Sequence, residues 1–360
     1  MQEPLAAIRE LFDREAGRIY LDAATYGLPP RPTVQTMHEA LDAWQTGSAD
    51  WITHWDQPGE SCRASFAELI GVPRTSVALV PSASVGVGTV AATLQPGAEV
   101  LVPDDEFASV LFPLLVREGH GEARVRCVPF EALAEEVRPQ TRLVAFSLVQ
   151  SQSGRVAALS DIVAAARAAS ARTLVDVTQA IPFVPVRDVD YMVCAAYKHL
   201  LCPRGVAFLS VAPPHWDQVP PILANWRSAA RPYGSYYGGP LSLAPTAARF
   251  DVSLAWFPWL GASVSLRYLA EWHAQGLFSH VLGLTSRLAD GLGLERTGSS
   301  ILSVPVQDAE AAREALAQSS VRASVRAGNV RLSPHIYNTV EEASRAISVI
   351  APFVQVAARR

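Results

Sequence analysis

The sequence predicts an α/β protein with a large doubly wound domain, its sheet mainly parallel, and a smaller α+β domain at the C-terminal end. Three observations carry that expectation. Between about residues 76 and 210, short apolar runs alternate with alanine-rich stretches suited to helix. The runs are apolar almost throughout rather than at every second residue, as strands covered on both faces require. Beyond residue 259 a long helical stretch leads into a second, shorter set of strands and helices. The expected division is residues 18–258 for the large domain and 1–17 with 259–360 for the small one.

Taken in order, the expected strands of the large domain are Ser76–Val80, Glu99–Val102, Arg142–Phe146, Thr173–Val175, Tyr191–Cys194 and Val206–Leu209. Between the third and fourth, Asp161–Arg167 reads as a helix with Ser160 as its N-cap. Residues 211–248 are rich in Pro, Gly, Tyr and Trp and read as a long irregular connection of the kind that walls a site or a subunit contact. The small domain contributes strands at Ile301–Val306 and Asn329–Leu332 and a helix at Asp308–Ala317. Thr339-Val340-Glu341-Glu342 has the form of a capping box and starts the terminal helix.

Composition narrows the function classes. The chain has 360 residues, 49% hydrophobic and 18% charged, with a mean hydropathy of +0.16, enough for a sizeable core and unlike a disordered chain. A net charge of −4 and a pI near 6.1 give no basic footprint for nucleic acid. No run nears the ~18 apolar residues of a membrane span, and the N-terminus lacks the pattern of a signal peptide. The cysteines Cys62, Cys127, Cys194 and Cys202 form no CxxC, so reduced thiols and a cytoplasmic location are expected.

One count stands out. Of the 30 basic residues a single one, Lys198, is lysine; the rest are arginine. A GC-rich genome explains the arginines and leaves the exception unexplained. Arginine stays protonated, whereas lysine can lose its proton and form a Schiff base. Lys198 follows the strand Tyr191–Cys194, and Asp176 ends the neighbouring strand. In a doubly wound sheet both face the crevice at the carboxyl ends of the strands. That pair matches pyridoxal phosphate, whose aldehyde takes a lysine and whose ring nitrogen takes a carboxylate. On spacing alone, a helix-capping Asp176 and a surface Lys198 stay open. Ser82-Ala83-Ser84 opens a helix after a strand and suits a phosphate, or is an ordinary cap. Gly86-x-Gly88 lacks the third glycine of a dinucleotide fingerprint and falls within that helix.

Six segments in register then resemble the class V aminotransferases of fold type I, the group with cysteine desulfurases, kynureninase and isopenicillin-N epimerase. They are Tyr20-Leu21-Asp22-Ala23-Ala24, Ser82-Ala83-Ser84, Glu106-Phe107-Ala108-Ser109, the stretch from Asp176 to Gln179, Lys198 ahead of Pro203-x-Gly205, and the stretch from Arg331 to Glu342. The resemblance implies a fold type I PLP-transferase with pyridoxal 5'-phosphate as cofactor. It assigns Lys198 to the internal aldimine and to proton transfer at Cα, Asp176 to the pyridine nitrogen and Gln179 to the phenolic oxygen. It places Phe107 as the aromatic platform stacked on the ring, Ala83 and Ser84 at the phosphate, and Arg331 on the substrate carboxylate. Tyr197 stands where desulfurases have a phosphate-binding histidine, and Ser253 is placed to reach the phosphate of a partner subunit, since family members are homodimers with shared sites.

Two departures shape the reaction. The stretch from Val321 to Arg331 has no cysteine where desulfurases carry their nucleophile, and Phe107 replaces a histidine that could give a proton above the ring. Persulfide formation is therefore not expected. The segment from Lys198 to Leu209 resembles epimerase-like members, including those acting on sulfur-bearing amino acids in antibiotic biosynthesis. The resemblance implies a lyase acting by β-elimination with C–S cleavage, or deamination, on a small amino-acid substrate; aminotransferase and epimerase activity are the alternatives, and a non-catalytic PLP-binding protein the remote one. A metal on Cys194, His199 and Cys202 is not expected. His335 is a site-lining or structural residue, and Trp51, Trp55, Trp226, Trp256 and Trp259 suit a pocket lining or a core.

Overall fold

The computed structural model describes residues 2–355. The chain opens with helix α1 (Gln2–Arg9), strand β1 (Ile19–Tyr20) and helices α2 (Arg31–Thr46) and α3 (Pro58–Ile70), with a single π-helical segment at Trp51–Asp56. Then come β2 (Val77–Val80), α4 (Ala83–Ala91), β3 (Glu99–Pro103), α5 (Ala108–Gly119), β4 (Arg124–Val128), β5 (Thr141–Ser147), α6 (Leu159–Ala168), β6 (Arg172–Asp176), β7 (Tyr191–Ala195) and β8 (Ala207–Val211). These eight-residue-or-shorter strands form one sheet in the order β2-β8-β7-β6-β5-β3-β4. Only β8 runs against its neighbours.

The two faces of the sheet explain why its strands are apolar throughout. Leu79, Leu101, Val144, Phe146, Val175 and Phe208 join one buried cluster with Phe66 of α3 and Ile162 of α6. Their neighbours Ala78, Val80, Val100, Val102, Ala145, Leu174 and Leu209 join the other, with Val87 and Val90 of α4 and Leu114 of α5. Successive side chains point to opposite faces, and both faces are covered. The exception is β4, an edge strand whose Arg124 is exposed.

After β8 the chain has no strand or α-helix until α7 (Trp256–Ala274). This long connection is held by buried charges. Arg227 pairs with Asp56, and Arg63 of α3 pairs with Asp251 at 2.5 Å. Asp251 also accepts Leu79 N–H at 2.9 Å, fastening the connection to β2. Trp51 stacks on Trp256 at 5.3 Å and meets Trp226 edge-on at 5.8 Å, and Trp55 lies against Trp256, so four of the five highlighted tryptophans cluster here. Trp259 lies in the core against Phe208.

The remaining elements are α8 (Ser279–Gly291), β9 (Leu302–Val304), α9 (Ala309–Gln318), β10 (Val321–Arg322), β11 (Ser324–Arg326), β12 (Asn329–Leu332) and α10 (Val340–Ile350). β11, β12 and β9 make an antiparallel sheet, while β1 pairs in parallel with β10. Ile19 and Leu21 pack with Leu288, Val304, Leu316, Leu332 and Ile350, whereas Leu5 and Ile8 of α1 pack into the core of the large sheet. The Thr339 capping box forms as expected, with Glu342 N–H on the Thr339 hydroxyl and Thr339 N–H on the Glu342 carboxylate. The expected Ser160 cap does not. α6 begins at Leu159 after Ala158, because a bridge between Val149 and Val156 delivers the chain in a tight turn, Leu159 N–H bonding Ala157 O at 2.7 Å. Among the described residues no helix is long and apolar enough to cross a membrane.

Candidate active site

Because β8 alone is reversed, the carboxyl ends of β2, β3, β5, β6 and β7 share one edge of the sheet. From that edge emerge Ser82 to Ser84, Glu106 and Phe107, Ser151, Asp176, and Lys198. A crevice at this position is where open α/β sheets bind ligands.

Lys198 sits on a tight loop after β7. The loop is closed by Ala196 N–H to Val206 O at 3.0 Å and Cys202 N–H to Ala196 O at 3.1 Å. The side chain is 6% exposed, and its Nζ lies 5.0 Å from the centre of the Phe107 ring and 5.8 Å from that of Tyr197. Burial pulls the amine down to about 8; Asp176 resists that shift, and Arg331 and Arg326 add to it. Among the described residues Nζ makes no hydrogen bond. Asp176 ends β6, and its Oδ1 accepts Thr178 N–H at 2.8 Å. Burial raises its carboxyl above the usual range, opposed by the Thr178 donors and by Lys198. No helix follows, so Asp176 is not a helix cap. The Thr178 hydroxyl accepts Ala195 N–H at 2.9 Å, tying the ends of β6 and β7 together.

Gln179 is buried, and its Nε2 donates to Ala24 O at 3.1 Å. Its Oε1 is buried without a partner, a costly state unless another group completes it. Phe107 is half-exposed at the start of α5, ring toward the lysine. Beneath it Glu106 accepts Phe107 N–H at 2.7 Å, Ser147 N–H at 2.7 Å and the Ser147 hydroxyl at 2.5 Å. Burial nevertheless pushes the Glu106 carboxyl up to about 7, Asp176 adding to the effect. At the start of α4 the Ser82 hydroxyl takes Val85 N–H at 3.3 Å, leaving the first N–H groups of Ala83 and Ser84 free for an anion, with the Ser84 hydroxyl 3.0 Å from that of Ser82.

Arg331 of β12 is brought to the same crevice by the small sheet. It is 3% exposed, donates to Ser151 O at 2.7 Å and to the Thr25 hydroxyl at 2.7 Å, and stands 3.5 Å from Asp22. Burial lowers its guanidinium to about 10, against the pull of Asp22. One expected member lies apart from this cluster. Ser253 is exposed beside β2, where Val252 N–H bonds Leu79 O. Tyr197 turns its ring between Lys198 and Arg204, the guanidinium 5.0 Å from its centre. His335 lies behind the lysine loop, buried, with Nε2 3.0 Å from His199 O.

Four contributors were not assigned a role from sequence: Thr178, Glu106, Asp22 and Thr25. Each lies inside or next to a quoted segment, so the signal was present, but their roles depend on partners far away in the chain, Ser147 for Glu106 and Arg331 for Asp22 and Thr25.

The donor set fits pyridoxal phosphate. An unbonded buried amine, a carboxylate one strand away, an aromatic face, an amide nitrogen with one N–H bonded to Ala24 O and one left to donate, and a free helix start gather at the carboxyl edge of the sheet. The family model for class-V aminotransferases matches residues 19–345. An uncharacterized aminotransferase of Bacillus subtilis is 25% identical over 366 residues, covering 95% of this chain and 96% of that protein. Isopenicillin N epimerase of Streptomyces clavuligerus is 30% identical over 205 residues, 52% of this chain and 49% of that one. The solved cystine C-S lyase C-DES, in complex with cysteine persulfide, superposes with a TM-score of 0.84 at 20% identity over 94% of this chain and 99% of its own, a likeness of fold. The chain belongs to the class-V aminotransferase family of pyridoxal-phosphate enzymes.

Proposed function

We propose that the protein is a PLP-dependent lyase that breaks the C–S bond of an amino-acid substrate by β-elimination. When bound, the cofactor supplies an electron sink for the bond broken at Cα. The chain's residues divide the remaining work. Asp176 would hold the ring nitrogen protonated, Gln179 would donate to the phenolic oxygen, Phe107 would back the ring, and Ala83 and Ser84 would hold the phosphate. Arg331 would take the substrate α-carboxylate with the N–H groups that Ser151, Thr25 and Ser324 leave free. Lys198 Nζ, whose proton affinity burial lowers from 10.5 to about 8, would take the proton from Cα. The Cβ–S pair then leaves on sulfur as the thiol, and water carries the remaining three carbons to pyruvate and ammonium.

The observation that carries this reading is the hairpin Ser324–Leu332. It turns at Ala327 and Gly328, both at positive φ (46° and 77°), as a two-residue turn requires. The connection offers neither a cysteine nor a loop to carry one, which supports thiol release over persulfide formation on the protein. Phe107 itself carries no proton, and the nearby Glu106 is taken up by Phe107 N–H and by Ser147, which favours elimination over epimerisation, a reaction that exchanges protons on two faces.

A homodimer also belongs to this reading. Exposed Trp44 of α2 with Tyr237 and Leu241 of the irregular connection supports it, and light scattering at micromolar concentration tests it. The activity test is incubation of the holoenzyme with L-cysteine S-conjugates, L-cystine and L-cysteine, without a keto-acid acceptor. Pyruvate and ammonium in equal amounts are expected, matched by thiol from the S-conjugates, cysteine persulfide from L-cystine and hydrogen sulfide from L-cysteine, and Lys198→Ala should abolish both product and the visible band of the lysine-bound cofactor. A product that requires an added keto acid, or a racemised substrate without pyruvate, would overturn the elimination reading.

A further inference from the structure

The hairpin that carries Arg331 carries a second arginine on the same face. Ser324 pairs with Arg331 across the hairpin, and Arg326 lies two residues beyond Ser324, diagonal to Arg331. Side chains two apart on a strand share a face, and diagonal neighbours across it lie within reach of long side chains. Both guanidinium groups reach one hydroxyl: Thr25 Oγ1 accepts from Arg331 at 2.7 Å and from Arg326 at 3.3 Å. Two like charges thus converge on one neutral oxygen.

Their counter-charges are unequal. Asp22 stands 3.5 Å from Arg331 and 3.8 Å from the Nε of Arg322, and it also accepts the Thr25 hydroxyl at 2.7 Å. Arg326 has no carboxylate within ion-pair distance among the described residues. Arg326 is also exposed, at the rim of the crevice rather than inside it. Its charge is felt at the reactive centre, since it lowers the proton affinity of both Lys198 and Arg331. The hairpin side of the crevice therefore carries more positive charge than Asp22 balances, and the unbalanced part of it lies at the exposed Arg326.

We propose that Arg326 anchors a second carboxylate, one on the substrate's side chain, so that the preferred substrate is an amino acid with a carboxylate at each end. The assignment rests on the amino-acid reading of the site given above. Arg331 with its Asp22 and Thr25 partners holds the α-carboxylate, and Arg326 supplies a free guanidinium fork for the distal one. A guanidinium at the rim keeps its distance from the proton-transfer group and selects by charge.

Two thioethers of nearly the same shape test this, S-carboxymethyl-L-cysteine and S-carbamoylmethyl-L-cysteine. Their dissociation constants are read with the holoenzyme from the first change in cofactor absorbance, before product forms. The charged ligand should bind about tenfold more tightly than the amide, as one charge-assisted hydrogen-bonded pair provides. That ratio should fall to about one in Arg326→Gln, persist in part in Arg326→Lys, and shrink at high salt. Equal affinities in the wild type overturn the proposal. So does Arg326→Gln weakening both ligands alike, which would put Arg326 on the α-carboxylate. Pyruvate release is followed in the same samples. A tenfold binding ratio without pyruvate supports the carboxylate anchor while rejecting elimination, and pyruvate at equal affinities does the reverse.

Discussion

Gly27 lies against the lysine loop, and a single methyl group there tests how tightly the reactive amine is held. Gly27 N–H bonds Tyr197 O at 3.0 Å. A Cβ on this residue would come 2.2 Å from Lys198 O and 2.4 Å from Leu201 Cδ2. Ordinary contact lies near ~3.5 Å, so the two backbones would have to part by roughly 1 Å. The leucine can turn away, but the carbonyl is backbone and takes Lys198 with it. Gly27 lies outside the left-handed region, so this is a steric effect alone. Overpacking of this kind costs about 1–3 kcal/mol, and a reacting group displaced by roughly 1 Å loses about a hundredfold in rate. Gly27→Ala should therefore lower Tm by several degrees and kcat far more than KM, while Gly88→Ala, within α4 with open space around its Cβ position, should hold or raise Tm. Differential scanning fluorimetry with steady-state kinetics on both variants decides it. A Gly27→Ala protein with wild-type Tm and kcat would show that the lysine loop is not held against residue 27.

Three further outcomes are expected. In the cofactor-free protein the folded Lys198 amine gives up its proton at about 8 and the unfolded one near 10.5; between those values the unfolded chain holds more protons, so stability rises with pH. Urea midpoints should show Lys198→Met losing that rise, worth roughly 3 kcal/mol, and identical pH profiles would refute the burial argument. Glu106 has the opposite sign: its carboxyl is raised from 4.5 to about 7 by folding, so its contribution weakens as pH climbs through that window, and Glu106→Gln should flatten this part of the profile. Thr339→Ala removes one half of the capping box and should cost about 1 kcal/mol in chemical denaturation, with cofactor absorbance unchanged.

How much of this was legible in the sequence follows from where each interaction is decided. The buried strands could be read because covered faces demand unbroken apolar runs, and α10 because its cap is local to Thr339 and Glu342. β4 escaped notice because an edge strand half in water alternates Arg124, Arg126 and Cys127 with valines and looks unlike its neighbours. The short β1, β10 and β11 gave no periodic signal at all. Lys198, Asp176 and Gln179 stood out by residue type and by their place after strands. The environment of Arg331 could not be read, since Ser151, Thr25 and Asp22 reach it from other parts of the chain. The role of Glu106 depends on Ser147, 41 residues on.

The pairing of β1 with β10 sets the order in which this molecule can be completed. Ala23 and Ala24 bond to Ser333, in the latter case across 309 residues. During synthesis the N-terminal strand waits, unpaired, until nearly the whole chain has been made. The large sheet can form meanwhile, but the crevice then has its lysine and its aspartate and lacks the wall that carries Arg331. Asp22 and Thr25 acquire Arg331 only when the last strands arrive and close a loop of more than 300 residues, a slow kind of contact to make. Cofactor capture and substrate capture are thus separable in time, and a refolding experiment should see the first before the second.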